Sequence, residues 1–184
     1  MVLLKVIVFI IVSAAIAWLS RSSLRIRQSH GFLRFIAWEM ILVLILFNIE
    51  YWFREPFNIH QIISWLLLII SAFLVIYGAY TLHKVGKPDS SRNDPSLIGI
   101  EKTTELVTVG PYRYIRHPLY SSLFFLTWGV FFKHPNVKGA ILAVMAIFFL
   151  TMTAQVEESL NIKVFGSAYK IYMKQTRRFI PFLF

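Results

Sequence analysis

Cysteine is absent from the chain, which excludes disulfides, thiolate metal sites and cysteine nucleophiles; no metal centre is expected. Charge is scarce as well. Charged residues make up 15% of the chain and hydrophobic residues 57%, whereas an ordinary soluble domain carries roughly 25% charged residues. A soluble protein of this length has no way to hide several apolar runs that each approach the ~20 residues needed to cross a bilayer. A single membrane domain is what remains. The net charge of +10 would suggest nucleic acid, but the basic residues sit between apolar runs, so the partner is the bilayer and no nucleic acid is expected.

The apolar runs place membrane segments at about 1–19, 35–53, 61–82, 119–134 and 137–155. The predicted fold is therefore all-α, a polytopic membrane helix bundle of about five transmembrane helices with a C-terminal helical hairpin and an amphipathic tail. Residues 1–82 form a three-helix scaffold, 83–118 a loop, 119–155 the hairpin and 156–184 a helix and tail. With five crossings, 15 of the 19 Lys and Arg residues fall on one face. Basic loops stay in the cytoplasm, so the N-terminus is expected outside and the C-terminus inside. Cleavage of the first run as a signal peptide, for which Ala15-Ile16-Ala17 offers a small-residue site, would strand the Arg21–Arg34 cluster on the translocated side.

Glu39 lies within the second segment, where a carboxylate marks either a functional site or an interfacial residue close enough to Arg34 to pair. Trp38, Tyr51 and Trp52 suit the aromatic belts of the two interfaces. Residues 83–104 are polar and carry two prolines, and they read as a loop that serves as a flap over the cytoplasmic mouth.

The stretch from Glu105 to Tyr120 leads directly into the fourth segment. Gly110-Pro111 is turn chemistry, and Pro118 suits the first position of a helix, with His117 at or beside the N-cap. A helix start offers unpaired N–H donors and a positive dipole end to a carboxylate or phosphate, and Arg116 and His117 reinforce that preference. The hairpin brings Glu157 and Glu158 back to the level of Arg116 and His117. By spacing alone this cluster is either an interfacial salt-bridge network or a site. The fifth helix is expected to end at Gly166 as a C-cap. Beyond it, Tyr169, Tyr172 and Met173 share a helical face, so the tail reads as an amphipathic helix on the leaflet.

Taken together, Leu106-Val107-Thr108-x-Gly110-x-Tyr112, Arg116-His117-Pro118-x-Tyr120, Glu157-Glu158, Phe165-Gly166, Tyr169, Tyr172 and Arg178-Phe179-x-Pro181 resemble the isoprenylcysteine carboxyl methyltransferase and phospholipid methyltransferase superfamily. The resemblance implies an integral membrane enzyme that binds S-adenosylmethionine on the cytoplasmic side and methylates a membrane lipid or small apolar amphiphile. It implies cofactor contacts for Leu106, Val107, Tyr112, Arg116, His117, Pro118, Leu119, Tyr120 and Glu157. Glu158 is the nearest candidate catalytic base, or else faces solvent. Thr104 stands where the family has a histidine. Thr153 stands where the carboxyl methyltransferases carry the arginine associated with the substrate carboxylate, which turns the expectation towards another amphiphile. Membrane sterol reductases, which bind a nicotinamide cofactor, share the Arg-His-Pro-x-Tyr module and are the alternative, as is a non-catalytic membrane protein that keeps the fold.

Overall fold

The computed structural model describes residues 2–26, 29–87 and 102–183. Most of the expected flap, 88–101, lies outside the described residues, as do Arg27 and Arg92 of the basic count. The remainder is helical: α1 Val2–Leu19, a short α2 Arg21–Leu24, α3 His30–Asn48, α4 Ile59–Gly86, α5 Pro118–Phe131 and α6 Val137–Gln175. Four of these, α1, α3, α4 and α6, are long and apolar enough to cross a membrane, so the chain is an integral membrane protein.

The fourth expected crossing is shorter than its apolar run suggests. With 14 residues, α5 rises only ~21 Å, less than a ~30 Å hydrocarbon core. Pro118 opens it, and the chain turns out of the helix at Phe132, whose N–H still reaches Trp128 O, before Pro135 and Asn136 start α6. The second segment moves the other way. It begins at His30 rather than near 35, because the Ser29 side chain caps it by accepting from Phe32 N at 3.1 Å. Hydropathy is blind to such a cap. Arg34, expected in a loop, is therefore buried inside α3, with its guanidinium over the Trp38 ring.

Helix α1 has no buried residue and makes polar contacts at two levels, with α3 and with the 3-10 turn Ile49–Tyr51 that follows it. Lys5 pairs with Glu50 at 2.7 Å, and Ser13 donates to Glu39 at 2.9 Å. The intramembrane carboxylate is thus engaged by the neighbouring helix. Helices α4 and α5 pack antiparallel at close range. Ser64 donates to Gly129 O and Ser71 to Ser122 O, each at 2.7 Å, and a Cβ on Gly78 would sit 3.1 Å from that of Pro118. Small residues and hydroxyl-to-carbonyl bonds are the usual adhesive where lipid removes the hydrophobic drive between helices. The main core joins Ala37 and Ile41 of α3, Tyr120 of α5, and Ala146, Leu150 and Ala154 of α6, closed by Phe179 of the tail.

Gly166 takes positive φ (59°) and interrupts α6, as expected of a C-cap, but the helix resumes at once over 167–175. Tyr169 and Tyr172 of that last stretch are buried while Lys170 and Lys174 are exposed. Its apolar face therefore docks on the bundle. The tail beyond it pairs with the segment before α5: Arg177 N donates to Tyr114 O at 3.0 Å and Arg116 N to Arg177 O at 2.7 Å.

Candidate functional site

These pairings set the backbone that presents the site. Gly110 adopts φ 60°, a conformation costly for residues with a Cβ, and packs against Thr81 and Tyr77 of α4. The 3-10 turn Gly110–Arg113 then turns Tyr112 inward, where its carbonyl accepts from the Tyr172 hydroxyl at 2.6 Å. Four residues later His117 enters α5, its ring buried and stacked 5.4 Å from that of Tyr120. No side chain caps the start of α5.

A cleft opens between this segment, the end of α4 and the later part of α6. Of the expected cofactor residues, Leu106, Val107, Tyr112, Arg116, His117, Leu119, Tyr120 and Glu157 line it. Pro118 does not; it faces away, against Gly78 of α4. Leu82, Thr103, Glu105, Asn161, Phe165, Tyr169 and Tyr172 complete the lining and were not assigned to a site from sequence. Asn161 was within reach of that reasoning, being one helical turn after Glu157. Leu82 and Thr103 were not, because they join the site only through the packing of 102–109 against the end of α4, where Thr104 N bonds to Gly86 O.

The adjacent glutamates divide sharply. Glu158 does not line the cleft. Its side chain is 5% exposed, with Arg116 Nε 2.8 Å from Oε1, an Arg178 guanidinium nitrogen 2.8 Å from Oε2 and His117 Nε2 at 3.4 Å. The Arg116 guanidinium also donates to the Met173 and Thr176 carbonyls, tying the tail to this lock. The solvent-facing alternative for Glu158 thus does not hold. About the first 20 residues of α6 suffice to cross the bilayer, which puts Glu158 beyond it. Burial alone would raise the Glu158 pKa, but pairing with His117, Arg178 and Arg116 outweighs burial and holds the carboxyl far below the usual range.

Glu157 faces the cleft. Tyr120 donates to its Oε2 at 2.5 Å, while among the described residues Oε1 has only a 3.8 Å approach from His117 Nδ1. Tyr169 and Tyr172 line the same cleft, and burial pushes both phenols well above their ordinary pKa, so they remain protonated donors. Among the described residues no group of three or more His, Asp or Glu side chains is placed to hold a metal.

Among the described residues the cleft thus offers the Glu157 carboxylate, a second carboxylate at Glu105 that is paired with Lys87 at 2.6 Å, an uncapped helix start and several aromatic walls at the membrane boundary. No curated protein matches the chain in sequence. The sequence model of the phospholipid methyltransferase family matches residues 59–168, from the start of α4 to the kinked end of α6 and more than half of the chain, and the protein belongs to that family of membrane methyltransferases.

Proposed function

We propose that the protein transfers a methyl group from S-adenosylmethionine to a lipid or lipid-like amphiphile at the face of the membrane that carries the basic loops, which is the cytoplasmic face by the distribution of Lys and Arg. The observation that carries this reading is the Glu157 carboxylate, open to the cleft beside the uncapped start of α5.

The donor set fits the group. S-adenosylmethionine carries an ammonium and a carboxylate on one carbon, a purine, and a sulfonium that supplies the methyl. Glu157 suits the ammonium. The N-terminus of α5, with His117 beside it, suits the carboxylate, and Tyr112, Tyr120 and Tyr169 give aromatic surface for the purine.

The chain's own contribution to rate is placement. Positive charge disappears from sulfur as the methyl leaves, so a carboxylate tuned to stabilise that cation would favour the ground state. Holding two reactants in line in a partly dehydrated cleft lowers the barrier without that penalty. In this reading Glu158 is a positioning residue rather than a base. Fixed between Arg116 and Arg178 with a strongly depressed pKa, it has little affinity for a proton, and it holds α6, the 114–117 segment and the tail in one register. The acceptor reaches the cleft from the bilayer.

Calorimetric titration of the detergent-purified protein with S-adenosylmethionine, its demethylated product and NADPH tests the proposal, with Glu157→Ala alongside wild type. Binding of the first two, weakened by the substitution, is expected. Binding of NADPH alone would move the protein to the reductase chemistry, and unchanged affinity in Glu157→Ala would overturn the site assignment.

A further inference from the structure

Behind the turn that carries Tyr112 lies a second groove, lined by Phe73, Leu74, Tyr77, Arg113, Tyr114 and Pro181 among others. It shares no lining residue with the cleft, because the buried Pro111 and Tyr112 stand between them. We propose that this groove is a binding site for one anionic phospholipid of the leaflet on the basic side, with its phosphate at Arg113 and the Tyr77 hydroxyl and an acyl chain along Phe73 and Leu74.

Depth supports the headgroup assignment. Tyr77 is the nineteenth residue of α4, ~27 Å along the helix axis from its start, which is close to the ~30 Å thickness of a hydrocarbon core. The Tyr77 hydroxyl lies against Gly110, where a Cβ would sit 3.3 Å away, so the turn that bears Arg113 is at the same boundary. Below that level Phe73 is 60% exposed, on the side of α4 that the bundle leaves to lipid.

Charge supports the anion. Arg113 is exposed, and among the described residues no carboxylate lies within ion-pair distance of it; its guanidinium only overlies the Tyr114 ring at 5.9 Å. The Tyr77 hydroxyl makes no hydrogen bond to a described residue. Two available donors therefore face a groove without an acidic residue in its lining. A phosphate accepts from both, while the ammonium of a zwitterionic headgroup would meet Arg113 and no counter-charge. A lipid seated here is walled off from Glu157, so it is not the methyl acceptor, and the inference stands whether or not the proposed reaction does.

The test is native mass spectrometry of the full chain in detergent, equilibrated with phosphatidylglycerol or phosphatidylcholine. Wild type is expected to retain one phosphatidylglycerol with a preference of about tenfold over phosphatidylcholine. Arg113→Gln should bring that preference close to parity and Tyr77→Phe should reduce it in part. Arg177→Gln removes another exposed arginine without a carboxylate partner among the described residues, outside this groove, and should leave the preference intact. No preference in wild type, or an equal loss in Arg113→Gln and Arg177→Gln, would overturn the proposal, since either result reduces the effect to general surface charge.

Discussion

The two ends of the α5–α6 hairpin both bury a charge, Lys133 at one and Glu158 at the other, and only one of them makes a site. At the turn end, Lys133 is 1% exposed. Its ammonium lies 3.6 Å from the Trp65 ring centroid and donates to Gln61 Oε1 at 3.1 Å. Gln61 in turn donates to the carbonyls of Tyr51 and Lys133, and the Tyr51 ring stacks on His134 at 3.8 Å. These groups engage one another and line none of the clefts described above; they fasten the hairpin turn to the α3–α4 connection. At the other end the members of the Arg116–Glu158–Arg178 lock also engage one another, but Arg116 borders the cleft and the lock holds a frame around Glu157, which is left facing open space. A buried charge is therefore not what distinguishes a site. A polar group held in place by others and left available to a ligand is.

The sharpest way to break this comparison is to remove the centre of the lock. Glu158→Ala leaves the half-buried Arg116 and Arg178 guanidinium groups without their counter-charge and should cost about 3 kcal/mol, read as a lowered unfolding temperature in detergent. Replacement of its sequence neighbour should act differently. Glu157→Ala is expected to change stability by less than about 1 kcal/mol, because its side chain keeps one good hydrogen bond and partial exposure, yet to weaken S-adenosylmethionine binding by about 10- to 100-fold, the loss of one hydrogen bond to a charged group. Equal effects of the two substitutions on both readouts would erase the distinction between lock and ligand. The turn end supplies the control. Lys133→Met removes a cation–π contact and leaves Gln61 Oε1 without its donor, so it should destabilise by about 1–2 kcal/mol with no change in cofactor affinity.

Much of the site was legible because its residues sit at places where local chemistry speaks. Gly110-Pro111 announces a turn, Pro118 announces a helix start, and a hairpin must bring Glu157 and Glu158 back to the depth of His117. What separates the two glutamates was not legible. Adjacent residues on a helix point ~100° apart, and which of them meets Arg116 and Arg178 depends on how α6 is rotated against the tail. Phe179 shows the same limit: the tail reads as a leaflet-bound amphipathic helix, yet it folds back so that Phe179 becomes fully buried core, through backbone pairing with Tyr114 and Arg116 that no periodicity encodes. Boundaries failed where polar atoms rather than apolar runs decide them, as at the Ser29 cap that draws Arg34 into α3.

The smallest expected effect is also the most discriminating for the lock. A carboxyl whose pKa is depressed in the folded state contributes stability that is fully present above its unfolded value and is lost only as pH falls through the depressed one. For Glu158 that means the stability difference between wild type and Glu158→Gln should be the same at pH 8 and at pH 6 and should shrink only in acid below about pH 4, as read by thermal unfolding across a buffer series. The arginines facing the carboxylate do not titrate in that range. A difference that already changes between pH 8 and pH 6 would therefore contradict a Glu158 carboxyl held far below its usual range by the groups paired with it, and with it the picture of a lock that stays ionised at every pH at which the cleft works.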